Sequence, residues 1–152
     1  MKQKILFSLI LCLWYITGFK VGVTTTSNIV SHILYIPSHV NVFHLFCNLF
    51  WLWSFKNKVE YIPAICIAII ASYLPNIVTT PTYGCSGFLF AACGIMWGKA
   101  NRFWDMCKYC LPAIAFTSLF PNVNFLIHLY SLMIGFIFAI IICTYRKKKL
   151  KK

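Results

Sequence analysis

The side chains best suited to chemistry in this sequence are a serine and a few histidines that interrupt strongly apolar stretches. Ser86 opens the apolar run 86–98, and His128 lies near the start of the run 123–145. A serine hydroxyl becomes a nucleophile when a neighbouring base takes its proton, and histidine is the base most often used. His128 is therefore the natural partner for Ser86, although the two are far apart in sequence.

A second polar group lies in the stretch HVNVFHLFCN, residues 39–48. His44 and Asn48 are four residues apart and should share one helix face, with His39 rotated about 140° from His44 at helical spacing. An ionisable residue inside a membrane is a functional hypothesis by default, and hydrogen bonding between helices is the structural alternative. Because two histidines and an asparagine occur together here, in addition to Ser86, we favour a functional interpretation.

Composition indicates that membrane helices position these residues. Hydrophobic residues make up 61% of the 152 residues, only 2 residues are acidic, and the net charge is +12. These values are typical of an all-α polytopic membrane protein, because backbone groups in lipid must be satisfied within the chain. The apolar runs predict six transmembrane helices, at about residues 5–19, 39–55, 60–77, 86–98, 107–120 and 123–145. The fourth run is short for a hydrocarbon layer about 30 Å thick, and we expect it to begin inside the membrane, at Ser86.

The basic residues predict the orientation. A cytoplasmic N-terminus followed by six helices places every basic cluster except Lys20 on the cytoplasmic side, as the positive-inside rule requires. Both termini are then cytoplasmic, with a membrane domain of residues 1–145 and a basic tail of residues 146–152. Because the charge flanks helices, we assign it to topology and to contact with the lipid bilayer, and not to nucleic acid. We expect a multi-pass protein of a prokaryotic cytoplasmic membrane.

The acidic residues limit the possible mechanisms. Glu60 and Asp105 are the only ones, and the predicted topology places both at cytoplasmic ends of helices. No carboxylate can then orient His128 in the membrane, so that a serine hydrolase would use a Ser-His dyad. An aspartyl protease and a zinc protease of the H-E-x-x-H type are excluded, and we predict no metal site and no cofactor. The C-x-x-C at Cys107 and Cys110 is interpreted as packing.

Three motifs in this order resemble those of the rhomboid intramembrane serine proteases, and the resemblance covers essentially the whole chain. They are H-x4-H-x3-N in the second helix, G-x-S-G at the start of a short fourth helix, and a sixth-helix histidine followed by small residues. In this sequence the matching positions are His39, His44, Asn48, Gly84, Ser86, Gly87, His128, Ser131 and Gly135. The resemblance implies a six-helix bundle in which Ser86 attacks the scissile carbonyl and His128 acts as general base, then as general acid. It also implies an oxyanion hole formed by the Ser86 backbone N–H and the side chains of His44 and Asn48.

The resemblance also assigns supporting roles. His39 would belong to a polar shell around a hydrated cavity, and Phe90, where the family often has a tyrosine, would pack on the catalytic histidine. The fifth helix, with Phe116 and Phe120 near its outer end, would be the lateral gate by analogy.

Small residues on two of the predicted helices favour a close approach of their backbones. Gly94 with Gly98 on the fourth helix, and Ser131 with Gly135 on the sixth, form small-x-x-x-small pairs. We expect this approach to bring Ser86 within reach of His128.

The leading hypothesis is a serine endopeptidase that cleaves single-span transmembrane substrates near the outer membrane face. The alternative is a catalytically silent rhomboid-like protein that binds transmembrane clients, although such relatives usually lack the serine or the histidine. A small transporter or metal channel that uses the histidines is disfavoured by the lack of intramembrane acids.

Overall fold

The computed structural model describes residues 1–56, 58–74, 81–118 and 123–150, and the regular structure in these ranges is helical. Seven helices follow one another there: α1 (Lys2–Ile16), α2 (Ile29–Leu34), α3 (Val42–Ser54), α4 (Tyr61–Tyr73), α5 (Ser86–Ala100), α6 (Phe103–Thr117) and α7 (Phe125–Lys149). All but α2 overlap the six predicted apolar runs, and the all-α fold class is confirmed. The short helix α2 lies in the loop between the first two runs and was not predicted.

Several helix ends differ from the predicted runs. Helix α6 begins at Phe103, several residues earlier than expected, and α7 continues through the basic residues to Lys149. The first part of the predicted basic tail is therefore helical. The end of the third run, from residue 75, and the position of Phe120 lie outside the described residues. The predicted start of the fourth run at Ser86 is confirmed.

The helices differ widely in length, from 6 residues in α2 to 25 residues in α7. Among the described residues, α7 alone is both long and apolar enough to cross a membrane unaided. Helices α3 and α4 are apolar, but each has 13 residues, a length of about 20 Å against a hydrocarbon layer of about 30 Å.

Asparagine caps determine where α3 and α7 begin, as one also does at α2. The Asn41 side chain accepts a hydrogen bond from the His44 backbone N–H at 2.8 Å, and Asn124 accepts from two N–H groups in the first turn of α7. Because α3 begins only after Asn41, His39 precedes the helix. The prediction that His39 lies on this helix, at a helical rotation from His44, is therefore wrong.

The interface between α5 and α7 is the most extensive in the structure. A Cβ added to Gly94 would lie 2.1 Å from the Leu132 carbonyl oxygen, and one on Gly135 would lie 2.5 Å from the Ala91 carbonyl oxygen. The two backbones are therefore in direct contact, which side chains larger than hydrogen would prevent. The predicted close approach is confirmed, and it brings the first residue of α5 beside the first turn of α7.

Candidate active site

The turn before α5 presents Ser86 as the first residue of that helix. Gly84 has a φ of 105°, a conformation that residues with a Cβ rarely adopt, and its N–H donates to the Tyr35 carbonyl oxygen at 2.9 Å. The backbone N–H of Ser86 has no acceptor within its own helix because it belongs to the first turn. Gly87 follows in tight packing, since a Cβ there would lie 3.3 Å from the Ile127 side chain.

Ser86 and His128 meet across the α5–α7 interface. The Ser86 Oγ lies 2.7 Å from Nε2 of His128, and Oγ has no other hydrogen-bond partner among the described residues. The His128 side chain is 1% exposed, and the Phe90 ring packs on it with centroids 4.7 Å apart. The structure thus brings together the three residues that the sequence associated with nucleophile, base and supporting ring.

The second nitrogen of the His128 ring contacts Thr117, the last residue of α6. Nδ1 lies 3.1 Å from Thr117 Oγ1, whose own proton is donated to the Ile114 carbonyl oxygen at 2.8 Å. Because a hydroxyl has a single proton, Thr117 Oγ1 accepts here and His128 Nδ1–H donates. The lone pair of Nε2 then faces Ser86, and the Ser86 O–H donates to it.

Two polar side chains of α3 converge on the turn that precedes Ser86. A Cβ on Gly84 would lie 2.7 Å from His44 Cε1 and 3.3 Å from Asn48 Nδ2. Within the described ranges the ring nitrogens of His44 have no hydrogen-bond partner. The structure therefore places two side-chain donors beside the backbone just before Ser86.

His39 contacts Asn48 from its position before α3. Its Nδ1–H donates to the Pro37 carbonyl oxygen at 3.0 Å, which leaves Nε2 as an acceptor for the amide of Asn48, also at 3.0 Å. One amide N–H of Asn48 is thereby fixed by His39, and the other remains available. His39 was predicted only as part of a polar shell, and the geometry gives it a defined contact.

The serine, the histidine and the two donors border one cavity of about 250 Å³. The C-terminal end of α6 closes one side of it with Phe116 and Thr117. Further lining comes from Cys47 and Trp51 of α3 and from Val123. Phe116, predicted near a lateral gate, therefore borders the cavity.

Two residues of this site were missed in the sequence. Trp51 packs edge-on against Phe90 at 4.6 Å, and so supports the ring that packs on His128. Its aromatic character one turn after Asn48 was an available signal. No comparable signal marks Thr117 in the sequence, because a threonine near a helix end usually bonds only to its own helix.

The fold and the site together define a bundle of largely apolar helices in which a buried hydrogen bond joins Ser86 to His128. The sequence model of the Rhomboid domain matches residues 25–145, which is most of the chain. The chain belongs to the rhomboid family, whose members are generally intramembrane serine proteases, and it is an integral membrane protein. No curated protein sequence matches the chain significantly.

Proposed function

We propose that the protein is an intramembrane serine endopeptidase that hydrolyses peptide bonds in or near the transmembrane segment of single-span substrates. The observation that carries this proposal is that Ser86, the first residue of its helix, can donate its hydroxyl proton to His128 Nε2 at 2.7 Å, because Thr117 occupies the other ring nitrogen. This contact gives the hydroxyl an acceptor for its proton at the edge of a cavity, which is what a serine nucleophile requires.

The proposed reaction proceeds through an acyl-enzyme. Ser86 Oγ attacks the scissile carbonyl carbon while Nε2 of His128 takes the hydroxyl proton, and the ring then gives this proton to the leaving amine. A water molecule, deprotonated by the same nitrogen, attacks the acyl carbon, and the proton returns to Ser86 as the new carboxyl group leaves.

The proposed oxyanion hole combines the Ser86 backbone N–H with the side chains of His44 and Asn48. The carbonyl oxygen gains negative charge in the tetrahedral intermediate, and donors already in place stabilise that charge without reorganisation. The position of both side chains against Gly84 supports this role, as does the hydrogen bond that fixes Asn48.

We propose that α1, α3, α4, α6 and α7 span the membrane and that α5 begins inside it, with Ser86 below the outer surface. Both termini would lie in the cytoplasm. The basic residues support this orientation, because only Lys20 then lies outside. Residues 1–145 would form the membrane domain, and the basic residues 146–152 would contact anionic lipids of a prokaryotic cytoplasmic membrane. Substrate helices would enter from the lipid beside α6, whose Phe116 and Thr117 cover the cavity.

Cleavage of tagged single-span substrates by the wild type, Ser86→Ala and His128→Ala in the same membranes tests the proposal. We expect cleavage by the wild type and a loss of about 10³-fold or more in either variant, with thermal unfolding in detergent as the check on folding. We also expect a fluorophosphonate to label the wild type at Ser86 only.

If either variant cleaved the substrates as fast as the wild type, the proposal of a serine endopeptidase would be refuted. A wild-type protein that binds these substrates, fails to cut them and takes up no fluorophosphonate would instead favour the catalytically silent alternative.

A further inference from the structure

The acidic side chains of the chain lie far from His128. In three-residue serine protease sites a carboxylate accepts the Nδ1–H of the histidine and holds the ring in the correct tautomer. Here Glu60 pairs with Lys99 at the C-terminal end of α5, opposite to Ser86, and Asp105 pairs with Arg102 at the start of α6. Some other acceptor must therefore fix the tautomer of His128.

Thr117 has the geometry of such an acceptor. Its hydroxyl proton is already donated to the Ile114 carbonyl oxygen, so that only oxygen lone pairs face Nδ1 of His128 at 3.1 Å. The other contacts of the ring do not select a tautomer. Phe90 packs on the ring face, and the Ser86 hydroxyl at Nε2 can either donate or accept.

We propose that Thr117 is a positioning residue, a neutral third member that holds Nδ1–H of His128 and keeps Nε2 free to accept the Ser86 proton. This inference rests on the proposed function and assigns a further residue to the same site. Without the threonine hydroxyl, the ring can carry its proton on Nε2, and Ser86 then has no acceptor.

The expected effect is moderate because the acceptor is neutral. One uncharged hydrogen bond changes an equilibrium by about tenfold, and the imidazolium formed during the reaction loses only a dipole, not a full charge. Loss of the Thr117 hydroxyl should therefore slow both substrate cleavage and fluorophosphonate labelling by about tenfold, with KM within about twofold of the wild type.

The experiment compares Thr117→Val, which keeps the shape and removes the hydroxyl, with Thr117→Ser, which keeps the hydroxyl. Ser118→Ala is the matched control, because Ser118 also donates to a backbone carbonyl three residues earlier, Ala115, and its side chain is exposed. We expect Thr117→Val to show the tenfold loss, Thr117→Ser to recover to within about threefold, and Ser118→Ala to match the wild type. If Thr117→Val fails to fold in detergent, Thr117→Ala is measured in its place with the same expectation.

Fluorophosphonate labelling separates this proposal from a role in substrate entry, because the small reagent does not need to dock a transmembrane helix. An unchanged labelling rate in Thr117→Val, or a loss in Thr117→Ser as large as in Thr117→Val, would overturn the proposal. A rise in KM with unchanged kcat would do the same. Absence of labelling in the wild type would refute the proposed function itself, and this inference with it.

Discussion

The protein contains two serine–histidine contacts of equal length in different surroundings. The Ser86 Oγ lies 2.7 Å from His128 Nε2, and the Ser72 Oγ lies 2.7 Å from His32 Nδ1. All four side chains are buried. Distance and burial therefore do not distinguish a candidate catalytic pair from a structural one. The difference must come from the direction in which each serine donates its hydroxyl proton and from the residues around each pair.

The hydroxyl proton is used differently in the two pairs. Ser72 lies inside α4 and donates its proton to the Ile69 carbonyl oxygen at 2.6 Å, so that its oxygen can only accept from His32. Nδ1 of His32 therefore carries a proton and donates it to Ser72, and burial lowers the pKa of this ring. In the other pair the ring accepts, because Thr117 holds the proton on the opposite nitrogen of His128.

The neighbours differ as well. The ring of His32 is stacked on Tyr73 with centroids 3.6 Å apart, and the contact joins α2 to the end of α4. Ser72, in the last turn of α4, has its backbone N–H within the helical hydrogen-bond pattern. Ser86 instead begins its helix, beside a cavity and the donors His44 and Asn48. We infer that the helix start and the direction of the proton, and not the serine–histidine distance, decide which pair can act as nucleophile and base.

The strongest test of this comparison removes a donor that only the Ser86 pair has. We expect Asn48→Ala to reduce kcat by about 10² to 10³, because the developing oxyanion loses a donor that is already in place. The measurement is steady-state cleavage of a single-span substrate, with kcat and KM resolved. KM should change little, since the donor acts mainly in the transition state.

Asn28→Ala is the control for the Asn48 variant. Asn28 is another asparagine with a defined contact, since its side chain accepts from the Ser31 N–H at the start of α2, far along the chain from the site. It should retain kcat within a fewfold of the wild type. Wild-type kcat in Asn48→Ala would show that the donors do not separate the two pairs.

The helices could be predicted well because backbone N–H and C=O groups in lipid must form their hydrogen bonds within the chain. Apolar runs must be helical there, and each of the six predicted runs overlaps a helix. The start of α5 could also be predicted, because Gly84 marks a turn and Ser86 opens an apolar run. The position of His39 could not, since an asparagine cap, and not hydrophobicity, sets the first residue of α3.

The residues that surround the histidine could be predicted only in part. Ser86 and His128 stand out because polar side chains are costly in an apolar segment. Thr117 and Trp51 do not stand out, since threonines and aromatic residues are common in membrane helices and their roles depend on the neighbouring helix. The second contact, between Ser72 and His32, was not predicted either, because it depends on where α2 packs.

A smaller effect is expected from Gly84, which lets the polar side chains approach the turn before Ser86. Gly84→Ala places a Cβ 2.7 Å from His44 Cε1 at a φ of 105°, so that both the ring and the backbone must shift. We expect kcat/KM to fall about tenfold, because the displacement of the ring and the backbone raises the activation free energy by about 1.4 kcal/mol.

Gly18→Ala is the matched control for Gly84→Ala. Gly18 also has a positive φ, of 70°, and a Cβ there would meet nothing within 4 Å. Its φ lies at the edge of the left-handed region that residues with a Cβ can occupy, so that Gly18→Ala tests a positive φ at a smaller backbone cost and without a contact to the site. We expect kcat/KM within about twofold of the wild type. An equal loss in both variants would mean that backbone strain alone, and not the approach of His44, explains the effect.

The smallest effect on cleavage is expected where the second pair is broken. Ser72→Ala should leave kcat within about twofold of the wild type, because its hydroxyl cannot give a proton to His32. It should lower the free energy of unfolding by about 1 to 3 kcal/mol, since the buried Nδ1–H of His32 loses its acceptor. Reversible unfolding in detergent measures this loss. Ser54→Ala provides the reference, because the Ser54 hydroxyl is exposed and, within the described residues, donates only to the Trp51 carbonyl oxygen. Its cost should be below about 0.5 kcal/mol. Loss of cleavage in a folded Ser72→Ala protein would mean that the proton direction does not separate the two pairs, and that the contact between α2 and α4 takes part in the reaction.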